Sequence, residues 1–489
     1  MLRRIGSGVA MAALAWLPAS ALPEARPAPS AAVTVEEGLQ QLVDDALAAN
    51  LEVQAGSARA AQRLAALDQA RARYLPVLDL AGRYSVADGG RTIELPVGDL
   101  LNPVYQTLDQ LLVAHGQPAQ FPRIQNQEIK LLRSHEQETK LELSQPLYEP
   151  RLRPAVEASR EQLQSAEASL AALRGRVVRD TQQAYYQWLA AQQTVIVLDS
   201  TRDLARANLA ANESLYRNGR ITRDLVYRAE ADVLEVEQLC LSAASRVRIA
   251  QSYVNLLRNF PLSTPLPQAQ IDAATVERFR DRLVARIAGR KPDVAALELR
   301  GTSHRQELRS LDAAIAAGEA QQNLARAAFK PVLALGAEAG IQGESYGLGA
   351  DERYVLASVI LRWNAFRGGA DHAALSEAKA LTDELRATRD LAAQQVRLEV
   401  QQAYESLTVA EASLDTAAKR AEAAEGAFRI ASRKRDLGQI NQAEFIDARR
   451  SYTDAALNLN VVRTAFLGRL AELEYAIGEP RRASGGNLQ

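Results

Sequence analysis

The chain has one cysteine, two methionines and four histidines in 489 residues, and aromatics make up only 5% of it. A lone thiol, Cys240, excludes an intrachain disulfide; inside a helical pattern it reads as a small apolar packing residue. His115, His135, His304 and His372 are scattered without ligand spacing, and His372 with Glu377 does not make a metal motif. With no Gly-rich phosphate loop or nucleophile motif either, the chain is not expected to be an enzyme, to hold a metal or to need a cofactor. After the N-terminal segment no apolar run approaches the ~20 residues of a membrane helix, so any bilayer crossing falls to β-strands. The net charge of −1 gives no electrostatic case for a nucleic-acid partner.

The N-terminus is an export signal. Arg3 and Arg4 precede an apolar stretch from Ile5 to Leu17, and Ala19-Ser20-Ala21 offers a small-x-small cleavage pattern. Residues 1–21 are therefore expected to be removed, and residues 22–34, rich in Pro and Ala, to form a flexible leader. No cysteine follows the cut, so a lipid anchor is not expected.

Ala, Leu, Gln, Glu and Arg dominate the remainder, and self-comparison shows a duplication. Gln182-Gln183-Ala184-Tyr185 recurs as Gln401-Gln402-Ala403-Tyr404, and Gly219 answers to Gly438, both at an offset of 219. Gln145-Pro146-Leu147-Tyr148 pairs with Trp363-Asn364-Ala365-Phe366 at 218, and Tyr74-Leu75-Pro76-Val77-Leu78 with Phe329-Lys330-Pro331-Val332-Leu333 at 255. The larger offset is explained by extra residues in the first copy, about 88–136, where Pro96, Pro103, Pro118 and Pro122 suggest a long loop. The helix before Pro331 is expected to exceed its counterpart by about 14 residues, close to four turns.

Each copy reads as helix, strand, strand, very long helix, turn, helix. The first copy spans 35–260, with strands at 76–87 and 138–148, a long helix at 150–218 and a return helix at 222–259. After a linker at 261–274, the second copy spans 275–478, with strands at 331–342 and 353–363, a long helix at 368–437 and a return helix at 441–477. Residues 479–489 read as a disordered tail. The strands alternate apolar and polar residues (Leu78, Leu80, Tyr84 and Val86 against Asp79, Arg83 and Ser85) and have the length of a tilted membrane strand. In the second long helix Val400, Ala403, Leu407, Ala410, Leu414, Ala417, Ala421, Ala424 and Phe428 keep spacings of three and four, a heptad seam. At 1.5 Å per residue such a helix is roughly 100 Å long. Shorter helices are expected to flank each long one end to end, with a break at Gly289-Arg290-Lys291-Pro292 mirroring one near Asn50.

The expected fold class is thus mainly α with a small β part. Four strands cannot close a barrel, and open sheet edges are not tolerated in hydrocarbon. Three chains supply twelve strands, so the expectation is a trimeric 12-stranded outer-membrane β-barrel continued by a long α-helical coiled-coil tunnel. Tyr148 and Phe366, where strands meet helices, mark the expected boundary between membrane and periplasm.

The strand starts, the Pro-Leu-Tyr and Trp-Asn-Ala-Phe-Arg-Gly-Gly strand ends and the two glycine turns resemble the TolC-type outer-membrane efflux family over essentially the whole mature chain. That resemblance implies a homotrimer in the outer membrane, in contact with outer-membrane lipid and extending into the periplasm. It also implies a periplasmic adaptor (membrane fusion) protein and an inner-membrane pump of resistance-nodulation-division or ABC type as partners. Gly219, Arg220, Ile221, Thr222 and Gly438, Gln439, Ile440, Asn441 then form the adaptor-contacting tips; simple helix reversal, with Gly ending one helix and Thr222 or Asn441 capping the next, explains the same residues. Exposed Ile221 and Ile440 favour a partner. Family members place an acidic constriction at the positions of Glu444 and Asp447, with Glu444 standing where Asp is usual. Asp224 is a third candidate, because threefold symmetry turns a lumen-facing acid into a ring of three charges. Helix N-terminal acidity accounts for Asp224 and Glu444 nearly as well. The competing functions are the outer-membrane channel of type I protein secretion and a periplasmic coiled-coil adaptor or scaffold.

Overall fold

The protein is described by a computed structural model covering residues 33–286, 293–345 and 349–479. The expected signal peptide, most of the leader, the break at 289–292 and all but the first residue of the tail lie outside the described residues.

The first copy comprises α1 (Val35–Ala49), α2 (Leu51–Ala72), β1 (Val77–Val86), β2 (Thr92–Leu95), α3 (Val97–Ala114), β3 (Gln127–Lys130), β4 (His135–Tyr148), α4 (Leu152–Arg217) and α5 (Arg223–Leu257). After α6 (Ala273–Arg286), the second comprises α7 (Val294–His304), α8 (Gln306–Ala327), β5 (Val332–Gly343), β6 (Arg353–Arg362), α9 (Ala370–Asp436) and α10 (Gln442–Ala476). The two long helices have 66 and 67 residues, and the two return helices 35 each.

The helices form a single-layer wall. One flank of α4 is covered by α2 and then α5, the other by α8 and then α10, and α9 packs on that second end-to-end pair. Two short helices laid end to end match one long one because each covers about half its length. The seam of α9 is turned to these neighbours: Val400, Ala403, Leu407, Leu414 and Ala417 are buried, while Ala410, Ala421, Ala424 and Phe428 are half-buried. The densest packing lies midway along the wall, where α1 seats Leu39 and Leu42 near Tyr185 and Trp188 of α4, beside Val400 of α9 and Phe466 of α10, all essentially inaccessible. Tyr185 donates its hydroxyl to the Pro267 carbonyl at 3.0 Å, which satisfies the one polar group of that ring.

Two expectations about the flanking helices are corrected. The helices before Pro76 and Pro331, α2 and α8, have 22 residues each, so there is no four-turn excess. The break that mirrors Asn50 is at Arg305, which keeps the 255-residue offset of the prolines. Asn50 stops α1 and starts α2 by accepting from the Glu52 and Val53 amides, at 2.9 and 3.1 Å. Arg305 caps nothing with its side chain.

β1, β4, β5 and β6 form one antiparallel sheet in that order, with the copies joined at β4–β5. The register collects like residues on each face. Leu80, Leu141, Ala339 and Val355 lie side by side, as do Leu78, Leu143, Ala337 and Ala357; on the other face Asp79, Glu142 and Glu338 align, beside a row of Ala81, Lys140, Gly340 and Tyr354. β1 and β6 are the edges. The insert expected to be a loop is instead an ordered module in which β2 pairs with β3 and α3 is held against the segment 120–126 that follows it.

Candidate functional site

The two helix turns are near copies of each other. At the end of α4 the Arg220 amide reaches back to the Leu215 carbonyl and the Gly219 amide to that of Tyr216; at the end of α9 Gln439 bonds Lys434 and Gly438 bonds Arg435, all at 2.8–2.9 Å. This double bond pattern requires a left-handed residue, supplied by Gly219 (φ +66°) and Gly438 (φ +70°). The helices that follow start differently. Asn441 accepts from the Glu444 amide at 2.8 Å, whereas Thr222 makes no side-chain cap hydrogen bond, contrary to the expectation that both cap. Ile221 and Ile440 are half-buried rather than exposed; Leu437, one residue before Gly438, is an exposed apolar side chain at the second turn. Arg220, Thr222, Gln439 and Asn441 are solvent-facing.

Asp224 and Glu444 stand exposed on the first turns of α5 and α10 and Asp447 on the second turn of α10, and none of their carboxylates has a hydrogen bond or ion pair among the described residues. They are free to act on something other than this chain. Two turns further in, a pair not anticipated from the sequence ties the return helices together. Arg449 of α10 and Asp232 of α5 meet at 2.6 Å, both under 5% exposed, with Arg450 reaching Glu235 at 2.6 Å alongside. Burial pushes the Asp232 carboxyl up and the Arg449 guanidinium down, even though each faces the other's charge. A signal did exist: Asp232 sits within the stripe Ala229, Val233, Val236, and Arg449 within the stripe Phe445, Thr453, both core positions of their helices. The α9–α10 end is further clamped by stacking of Phe428 on Tyr452 (5.4 Å) and by Phe445 between Phe428 and Arg435.

The polar face of the sheet carries Asp79, Glu136, Glu138, Glu142 and Glu338, with Arg83 and Lys140 among them and Arg362 at one end. Lys140 touches Glu142 at 2.6 Å, Glu338 at 3.2 Å and Glu138 at 3.8 Å; Arg83 meets Glu138 at 3.3 Å. Where sheet passes to helix, Tyr148 and Phe366 are exposed, as are Tyr74, Phe329 and Trp363, whose indole N–H donates to the Phe329 carbonyl at 3.1 Å. On the wall itself a groove of about 1730 Å³ runs across α2, α4, α8 and α9, past Arg59 and Arg63 of α2, Arg176 of α4, Gln321 of α8 and Glu377 of α9. Only a concave face can touch four helices that pack in sequence. Among the described residues no group of His, Cys, Asp and Glu could hold a metal ion, and no helix is long and apolar enough to cross a membrane.

Comparison with known proteins bears on this geometry. The family model described as outer membrane efflux protein matches residues 42–257 and 302–479, one segment in each copy. Protein CyaE of Bordetella pertussis is 33% identical over 194 residues, which is 39% of this chain and 41% of that protein's length. Among solved structures, the CmeC outer membrane channel of Campylobacter jejuni superposes with a TM-score of 0.73 at 16% identity, covering 95% of this chain and 92% of that one. The outer membrane protein VceC of Vibrio cholerae gives 0.69 at 18%, covering 91% and 96%.

Proposed function

Because the chain belongs to the outer membrane efflux protein family, an outer-membrane exit channel family that extends into the periplasm, we propose that three copies close into a passive duct serving a tripartite efflux system. The observation that carries this reading is the four-stranded sheet with two open edges, continued directly by helices of 66 and 67 residues. Edge strands cannot remain unpaired in hydrocarbon, so β1 of one copy pairs with β6 of the next, and twelve strands leave a lumen. The face bearing Leu80, Leu141 and Val355 then meets lipid, with Tyr148 and Phe366 in the aromatic belt at the periplasmic border, and the Lys140 face lines the pore. Below it, the wall closes into a coiled-coil tunnel of roughly 100 Å whose concave groove faces the lumen.

Within this duct the turns at Gly219 to Thr222 and Gly438 to Asn441 contact the periplasmic adaptor, which delivers substrate from an inner-membrane pump of resistance-nodulation-division or ABC type. Asp224, Glu444 and Asp447 face the lumen near the tip, where threefold repetition makes acidic rings that attract cations and resist closure. Their lack of partners among the described residues supports this role. Two measurements test the reading. A Gly438→Asp variant should keep heat-stable trimers in the outer membrane while losing substrate resistance; unaltered resistance would sink the adaptor role. In planar bilayers, Glu444→Gln with Asp447→Asn should weaken cation selectivity and divalent block, and an unchanged reversal potential would count against the rings. A type I secretion channel shares the same barrel and tunnel. Crosslinking at the tip in cells and identifying the attached adaptor separates the two.

A further inference from the structure

The external module built from 88–134 has an unpartnered side. α3 is fixed to its module through one face: Asn102 exchanges hydrogen bonds with both the carbonyl and the amide of Ile124 (2.8 and 2.9 Å), Asp109 accepts from the Gln120 and Phe121 amides, and Tyr105 packs on Phe121 at 5.0 Å. These anchors hold the helix in one rotation. At 100° per residue, Leu100, Val104 and Leu111 point directly away from Asn102, flanked by Leu101 and Leu108. All five are exposed, Leu100 by 70% and Val104 and Leu111 by more than half. Val97, Leu101, Val104, Leu108 and Leu111 follow spacings of four, three, four and three, the periodicity of a helix–helix seam.

The geometry points to the α3 helices of the other two copies as the occupant of this stripe. The proposal rests on the trimeric duct reading. A lipid surface fits poorly: helices that lie on membranes carry Lys and Arg on their polar face, and α3 has none, only Asp99 and Asp109. Another α3 fits well, since both acids sit on the anchored side and leave the seam uncharged. Position agrees. The module rises from the β1–β4 hairpin, with the ladder continued by the Ala87 amide on the Ser134 carbonyl at 2.9 Å, and β1 is the edge that a neighbouring copy must pair. Three modules therefore stand on the rim of the barrel, each presenting a seam that two others complete. A short three-helix cluster closes the outer mouth, independently of the tip.

The test uses the full-length protein in outer-membrane vesicles, with Cys240→Ser as parent. Val104→Cys should give disulfide-linked dimers on oxidation, because three thiols round an axis join two at a time, and Gln110→Cys, off the seam, should give few. Trimers that persist without dimers at Val104→Cys, or with equal dimers at both positions, overturn the contact. So does labelling of Val104→Cys by a thiol reagent dissolved in the lipid. A parent without trimers instead overturns the duct reading beneath it. For closure, Leu108→Asp should raise uptake of a large hydrophilic antibiotic several-fold; unchanged uptake with crosslinking intact refutes the closure while leaving the contact.

Discussion

At the scale of single residues, buried charges govern the behaviour of the helical wall. Arg305, at the break between α7 and α8, contacts Glu307 at 3.1 Å and Glu399 at 3.0 Å, and covers the Tyr475 ring, whose hydroxyl donates to Glu307 at 2.9 Å. Burial opposes ionisation of Glu307, but the Arg305 charge and the Tyr475 hydroxyl outweigh it and hold the carboxyl below its usual range. A lowered carboxylate contributes stability above its unfolded pKa of about 4.3 and loses it as pH falls through the folded value. The melting temperature of the solubilised trimer should therefore decline in acid, and Glu307→Gln should flatten part of that decline. Asp232 acts with the opposite sign, because burial raises it: its contribution is fully present below the unfolded pKa and is lost as pH rises through the folded value. Removing one side of its pair, as in Arg449→Ala, should cost about 3–5 kcal/mol in denaturant titration, while Asp232→Leu combined with Arg449→Met should be near neutral.

At the scale of elements, the seams carry the wall. Trp188, Leu407 and Phe466 are at most 2% exposed, so Leu407→Ala should cost ~2–5 kcal/mol and Trp188→Ala ~3–5 kcal/mol, measured as a lowered thermal midpoint. The heptad stripe of α9 was readable because helical periodicity is a local property of the chain. α3 escaped that reading. Prolines at 96, 103, 118 and 122 surround a seam of only about two heptads, and Pro103 falls inside the helix, where a local rule favours a break. The Asn102 and Asp109 side chains supply the contacts that outweigh it, and those partners lie over ten residues away in sequence. Likewise, nothing in the sequence near Arg305 marks a helix boundary, since its partners Glu399 and Tyr475 belong to α9 and α10.

For the whole molecule, the decisive feature is a sheet that is incomplete within one chain. Its apolar face exposes Val355, Val359 and Leu361 by more than 60% each, which suits lipid and not water. An arginine near the middle of that face costs about 2–4 kcal/mol in a bilayer, multiplied over three copies. Val359→Arg should therefore deplete trimers from the outer-membrane fraction, as read by heat-modifiable migration on gels. Ser358→Arg, one residue along and on the pore side, should leave trimers in place.

The sequence by itself determined the duplication, the length of the long helices, the alternation of the strands and the absence of any membrane helix. All of these are periodicities or lengths read along the chain, and the hydrophobic effect acts on them whatever the neighbours are. Tertiary structure alone decided that β4 pairs with β5, that α4 lies between the α2–α5 and α8–α10 pairs, that Asp232 meets Arg449 across the return helices, and that the insert folds as a module. Those are choices of partner between segments up to 289 residues apart in sequence. They depend on which surfaces fit and which charges can be satisfied together, and no local pattern encodes that.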